Sequence, residues 1–403
     1  MSTITRRQLL FAGLVLCTGF GPASATAEKS APASSAASVP MFRGGPARTG
    51  ENPGPGPASA LSVRWQTRLD ALISSSPAVV DGVVYVGSVS PTDPAGGALY
   101  AVDAATGDEI WRLQTVAGDG FYSSPAVVDG LVYAGSYYGI VVAADAATGE
   151  ERWRFPAVGA VFSSPAVVDG DVYVGDNAGY LYALDAATGD QRWRSAIDQD
   201  YEYTLNNPPA VVDGAVYVVL RAHRIGKTDF VLALDAATGK ERWRFAAAAG
   251  ERLRGAPAVA AGAVYVLTDE GVLYAVDAVD GRERWRFDGG APVPFGSPAV
   301  VAGTAYLATA DGALHAVDAA TGHKRWSRRL SRTGGLISCP TVADGTVYVG
   351  DDAGVLYAVK AASGAERWHL TVGSYLSSPA IIGGFVYVGS DNGWLVAVGD
   401  PEE

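Results

Sequence analysis

The chain has 403 residues, 48% of them hydrophobic, with 50 glycines and a formal charge of -12. That is enough apolar material for a large core, and length alone suggests two or three domains. The acidic charge is spread along the chain rather than gathered in runs, which excludes nucleic acid as the expected partner.

Residues 1–27 read as an export signal. Thr5-Arg6-Arg7-Gln8-Leu9-Leu10 leads into an apolar run from Leu9 to about Phe20, followed by Ala23-Ser24-Ala25 and Ala25-Thr26-Ala27, with cleavage after Ala25 or Ala27. The paired Arg6 and Arg7 resemble a twin-arginine signal, which implies bacterial or archaeal export of an already folded protein; a chance Arg-Arg in an ordinary secretory signal is the alternative. Either way the mature chain is expected in the periplasm or outside the cell, and the run is too short for a retained transmembrane span. Cys17 follows Leu16, where a lipid-anchoring signal wants a small residue, so it reads as part of the signal's apolar core. Removing the signal leaves only Cys339 and no internal disulfide.

Residues 28–39, rich in Ala, Ser and Pro, read as a flexible tether. Residues 40–61 contain Phe42-Arg43-Gly44-Gly45 and Arg48-Thr49-Gly50. They hold too much Gly and Pro for a strand or helix and are expected to lie along the following domain as an ordered cover.

From residue 62 to 403 the chain is a repeat whose clearest copy is Ser123–Phe155, SSPAVVDGLVYAGSYYGIVVAADAATGEERWRF. The proline of Ser-Pro or its equivalent recurs at Pro77, Pro125, Pro165, Pro209, Pro257, Pro298, Pro340 and Pro379, 39 to 48 residues apart. Each copy holds four strand-like runs separated by turn signals, the first three apolar almost throughout, as in strands buried on both faces. A sheet of four such strands must stack on neighbours, and a radial ring leaves no large sheet edge open to water.

An Arg-Trp or Ile-Trp pair ends seven copies, at Trp111, Trp153, Trp193, Trp243, Trp285, Trp326 and Trp368, while Arg64-Trp65 stands alone before the first Ser-Pro. The eighth copy, through Phe385–Ser390 and Trp394–Val398, lacks its Arg-Trp strand. The expectation is an all-β, eight-bladed β-propeller of four-stranded antiparallel blades, closed by the N-terminal strand completing the last blade.

The recurring LYAVDAATGxxxWR, seen at Leu99–Arg112 and, with one Val-to-Leu change, at Leu181–Arg194, resembles the repeat of the pyrroloquinoline-quinone (PQQ) type β-propellers, over roughly Val63 to Val398. Met41–Gly50, MFRGGPARTG, is similar to the lead-in of many such proteins. The resemblance covers quinoprotein dehydrogenases and non-catalytic scaffolds of the BamB type alike, so it implies the fold and leaves function open. In Asp-Ala-Ala-Thr-Gly the Asp can accept the N–H two residues on and the Gly takes a left-handed conformation, so Asp103, Asp145, Asp185, Asp235, Asp277 and Asp318 read as turn formers.

The turns VVDG and DAATG hardly change between copies, whereas the loops on the opposite face vary in length and chemistry, and sites grafted onto rigid scaffolds favour variable loops. Three departures fall there: Tyr201–Pro208 (YEYTLNNP), Arg221–Asp229 (RAHRIGKTD) and Glu251–Arg254 (ERLR). They nominate Tyr201, Tyr203, Asn206, Asn207, Arg221, His223, Arg252 and Arg254, with Tyr122, Tyr137, Tyr138 and Phe162 on the adjoining rim, as a cationic and aromatic patch for an anionic group, a peptide or a sugar ring. The other reading is loop drift. Asp176-Asn177, Asp269-Glu270, Asp351-Asp352 and Asp391-Asn392 read as turn residues rather than a cation site, and His223, His315, His323 and His369 show no ligand spacing.

The resemblance implies that a dehydrogenase of this class, oxidising an alcohol or sugar, would carry PQQ with calcium, adjacent cysteines over the cofactor and a tryptophan floor. This chain has no adjacent cysteines, minimal blades, and every tryptophan except Trp394 used by the repeat. The expectation is therefore a non-catalytic scaffold, monomeric, without cofactor or metal, binding a protein, peptide or envelope component. PQQ with calcium is the alternative, and a carbohydrate- or surface-binding module a third.

Overall fold

The computed structural model describes residues 38–57, 62–69, 71–90, 96–197, 202–224, 226–294, 296–332, 334–374 and 376–400. The export signal with Arg6 and Arg7, nearly all of the tether, and Tyr201 lie outside them. The described residues form eight antiparallel sheets, here blades 1 to 8, spanning 78–114, 126–156, 166–196, 210–246, 253–288, 299–329, 341–371 and 380–399.

Blade 2 shows why the repeat folds this way. Ala126–Val128, Leu131–Gly135, Ile140–Asp145 and Glu151–Pro156 pair consecutively. Asp129 and Gly130 both take positive φ, 50° and 75°, which is the tight hairpin turn that Asp-Gly favours. The third strand is buried along four consecutive residues because neighbouring blades cover both its faces, while the outer strand alternates. Each apolar cluster spans two adjacent blades, so no blade has a core of its own.

The DAATG turn joins the blades. Asp145 Oδ1 accepts the N–H groups of Ala147 and Thr148, both at 3.0 Å, and Gly149 sits at φ 73°. A side chain there would also strike Trp111 of the preceding blade, within 2.6 Å of its ring. Glycine thus serves both the turn and the interface. The Trp111 indole N–H donates to Ala146 O of that turn at 2.9 Å, as does the Tyr85 hydroxyl at 3.1 Å. The same double latch recurs at the next interface, from Trp153 and Tyr133 to Ala186 O.

Ser62–Arg68 pairs with Trp394–Gly399, Ser62 opposite Gly399 and Arg68 opposite Trp394, and so forms the outer strand of blade 8. Because that blade's third and fourth strands are not joined by a DAATG turn, Trp368 Nε1 of blade 7 finds no partner among the described residues. Blade 4 also departs from the repeat. Tyr203–Thr204 adds a short strand against Arg221 and Ala222, so two of the departures read in the sequence are the halves of one ladder.

The segment expected as a cover instead lines the centre of the ring. In every blade but the third, one residue of the innermost strand donates its N–H to this segment: Val79 to Val39 O (2.9 Å), Val127 to Pro40 O (2.7 Å), Val211 to Pro46 O (2.9 Å), Val259 to Ala47 O (2.9 Å), Val300 to Thr49 O (2.8 Å), Val342 to Gly50 O (2.8 Å) and Ile381 to Asn52 Oδ1 (2.9 Å). Two residues before each of these stands the repeated proline. A strand's backbone groups alternate sides, so that position also faces the channel, and proline removes the donor it would otherwise expose.

The proline carbonyls remain, and two buried arginines meet several of them. Arg48, 0% exposed, donates to Pro209 O (3.0 Å), Pro165 O (2.7 Å), Ser164 O (3.0 Å) and Phe42 O (2.8 Å). Arg43 donates to Pro298 O (2.5 Å) and Pro340 O (3.0 Å). Burial, with the charge of Arg43, lowers the Arg48 pKa to about 9.

Candidate partner-binding face

The loops joining second to third strands, and each blade to the next, surround a funnel of about 350 Å³ at the channel mouth. Its wall includes Ser76, Ser124, Ser164, Cys339 and Ser378, with Phe42 contributed by the central segment. The Ser-Ser-Pro motif explains this wall. Ser123 Oγ and the backbone of Gly135 exchange bonds within blade 2, at 3.0 and 2.7 Å. Ser124 Oγ instead accepts the Ser76 N–H of blade 1, and Ser164 Oγ that of Ser124, both at 2.9 Å. Cys339 Sγ takes the same place for the Ser297 N–H at 3.3 Å. These hydroxyls and this thiol tie blades together and leave few polar groups for a ligand.

Four of the nominated residues do form one cluster. Tyr122 lies 5.3 Å from Phe162 and 5.9 Å from Tyr137, and Tyr137 lies 5.7 Å from Phe162 and 5.8 Å from Tyr138, centroid to centroid. Tyr137 and Tyr138 occupy the tip of the blade 2 hairpin, Ser136-Tyr137-Tyr138-Gly139, and are 45% and 55% exposed. The matching turn of blade 3 is Asp176-Asn177-Ala178-Gly179, so the turn itself does not need rings. Val116 and Val158, missed in the sequence, expose further apolar surface on neighbouring loops.

The arginines do not join that cluster as a free cationic patch. Arg221 pairs with Asp269 at 2.5 Å, and Arg254 pairs with the same carboxylate. Arg252 pairs with the fully buried Asp229 at 3.0 Å, whose oxygens also accept the N–H groups of Ala222 (2.8 Å) and Leu253 (2.9 Å). Each nominated cation is answered by a carboxylate of blades 4 and 5, which the one-dimensional pattern hid because the partners lie 15 to 48 residues away. Tyr203 packs on Phe230 at 6.1 Å, apart from the other tyrosines. Asn207 Oδ1 accepts the Gly255 N–H (3.1 Å), and Asn206 donates to Asn177 Oδ1 (3.0 Å). His223 is exposed, its N–H bonded to Glu202 O at 2.7 Å.

Two of the acidic turn residues, Asp176 and Asp351, act as expected, whereas Asp269 serves the arginines instead. Asp176 Oδ1 accepts the Ala178 and Tyr180 N–H groups, and its Oδ2 accepts the Tyr182 hydroxyl at 2.9 Å. Asp351 does the same with Tyr357 at 3.1 Å. No group of three or more His, Cys, Asp or Glu among the described residues is placed to hold a metal.

A family model described as "Outer membrane protein assembly factor BamB" matches residues 58–119, 95–219 and 177–400. The chain belongs to the BamB family. No curated protein matches this BamB-family chain. Among solved structures, BamB from Moraxella catarrhalis is 20% identical with a TM-score of 0.68, covering 84% of this chain and 100% of its own. The quinohemoprotein alcohol dehydrogenase from Comamonas testosteroni is 17% identical with a TM-score of 0.72, covering 91% of this chain and 82% of its own. The computationally designed Ika8 protein is 16% identical with a TM-score of 0.68, covering 85% of this chain and 99% of its own. Likeness at these identities shows the fold alone.

The residues of this BamB-family propeller do not fit the quinone that some of its structural neighbours suggest. PQQ is a flat tricarboxylate and calls for cations and a set of metal oxygens. The funnel wall offers serines, Cys339, apolar side chains and the carboxylate of Asp391. The arginines nearest the channel are spent on proline carbonyls. No helix among the described residues is long and apolar enough to cross a membrane.

Proposed function

We propose that this propeller is an exported, non-catalytic, monomeric scaffold that holds a protein, peptide or cell-envelope component on its variable loop face. The observation that carries the reading is the central segment. It occupies the channel with two buried arginines and bonds to the inner strands around the ring, which makes the hub a structural element and leaves recognition to the rim. The family's description as an assembly factor agrees with a role in holding other proteins.

A photocrosslinking amino acid at Val158 on the loop face, compared with one at Val279 in the turn of the opposite face, tests the proposal in the native host. Both positions are exposed. Adducts are expected from Val158 and none from Val279; equal adducts from both faces, or none from either, overturn the scaffold reading. For the alternative, the mature protein is mixed with PQQ and calcium, and no quinone absorbance should be retained. Stoichiometric uptake with dye-linked alcohol or sugar oxidation would establish a dehydrogenase instead.

A further inference from the structure

We infer that a recess between blades 1 and 2 on the loop face is a binding site for a basic side chain, arginine or lysine, of an extended partner peptide. This rests on the loop face being the recognition face. The recess encloses about 310 Å³, room for one long side chain, and is lined by Asp119, Tyr122, Tyr137 and Tyr138 with Val89 and Ser90.

Asp119 supplies the charge. It is 94% buried, being 6% exposed, and both described bonds of its side chain fall on Oδ1, from the Gly120 N–H at 2.8 Å and the Tyr138 N–H at 2.9 Å. Oδ2 takes no bond from a described residue. A carboxylate on a mostly buried residue, with neutral donors on one oxygen alone and the other open to the recess, favours a cation there. No Lys, Arg or His is among the described residues lining the recess, so the protein does not neutralise this carboxylate as it does Asp229 and Asp269.

The tyrosines supply a surface. A cation against aromatic faces gains most where water is excluded, and Arg adds planar stacking. The rings are held in place beforehand: the Tyr137 N–H bonds to Gly120 O at 2.9 Å and the Tyr138 N–H to Asp119 Oδ1, so the hairpin tip is stapled to the preceding blade's loop. Gly118 completes the fit. It sits at φ 77°, and a Cβ there would come within 2.5 Å of the Tyr138 hydroxyl, so a larger residue would push the ring away.

The test is a calorimetric and NMR titration of the full chain with the peptide Ac-Gly-Ser-Arg-Ser-Gly-NH2 and its Gln analogue. The Arg peptide is expected to bind in the millimolar range, about tenfold tighter than the Gln analogue, and to weaken as salt rises. Asp119→Asn keeps Oδ1 and its two bonds, so its expected tenfold loss reports the charge rather than the fold. Tyr137→Ala with Tyr138→Ala should abolish binding, and Tyr137→Phe with Tyr138→Phe should keep it. Equal affinity for the Arg and Gln peptides, or no effect of Asp119→Asn, overturns the inference, as does preferential binding of maltopentaose or a dimer dissolved by Tyr138→Ala. Failed titrations with persistent adducts at Val158 sink the recess alone; successful titrations without any loop-face adduct sink the scaffold reading alone.

Discussion

The loop face carries two clusters of large side chains, one of tyrosines where blades 1 to 3 meet and one of arginines over blades 4 and 5. In the arginine cluster Asp229 and Asp269 answer Arg221, Arg252 and Arg254, and an added strand organises the backbone around them. In the tyrosine cluster the rings touch one another, yet Tyr137 and Tyr138 remain half exposed, and Asp119 lines the recess with no cation among its described lining residues. Irregularity in the repeat thus has two physical meanings. Where inserted charges close on themselves the loop is a structural repair, and where exposed rings are held rigid without serving the turn the loop is available to a ligand.

Substitutions separate these meanings, beginning with an arginine that pairs with no carboxylate among the described residues. Arg48→Ala leaves four carbonyls at the ring's centre without their donor and should cost on the order of 4 kcal/mol, read as a lower guanidinium midpoint with an unchanged slope. Arg48→Lys keeps a cation without the fork and should fall between. Asp229→Ala strands Arg252 and two backbone N–H groups and should cost about 3 kcal/mol. A midpoint within error of the parent protein would contradict the structural role of the arginine cluster.

Replacing Arg221, Arg252 and Arg254 together by alanine should cost about 2 kcal/mol while leaving adducts at Val158 intact. Tyr137→Ala with Tyr138→Ala should show the reverse, a stability change within about 0.5 kcal/mol and loss of the adducts. If both sets lower stability equally, the contrast between the clusters fails.

The smallest effect concerns His315 in blade 6, which takes the place of Tyr182 and Tyr357. Its Nε2 lies 3.4 Å from Thr309 Oγ1 and its Nδ1 has no partner among the described residues. Burial holds the imidazole below its ordinary range. Since the folded state binds the proton less readily than the unfolded one, stability is full above about pH 6.5 and is lost as pH falls toward the folded value. His315→Tyr should flatten the acid side of the stability profile by less than about 1 kcal/mol, seen by comparing urea midpoints at pH 7 and pH 5.

Much of the architecture is legible along the chain because it is written eight times. The strand runs, the Asp-Gly and DAATG turns, and the unpaired Trp65 and Trp394 segments follow from local chemistry and from counting. The central segment was legible only as Gly- and Pro-rich. Its placement depends on channel-facing prolines whose carbonyls need donors, a demand raised by no stretch of sequence alone.

The candidate face shows the same division. Tyr137 and Tyr138 could be picked out because a short turn constrains its own residues, so rings where other short turns have Asp, Asn, Glu or Ala are conspicuous before any folding is known. Whether Arg252 is free or bound, and whether Asp119 meets a cation, depends on which residue the ring brings alongside, since charge is screened and paired through space. Local rules determined the blades and their number; only the closed ring decided which charges were already satisfied.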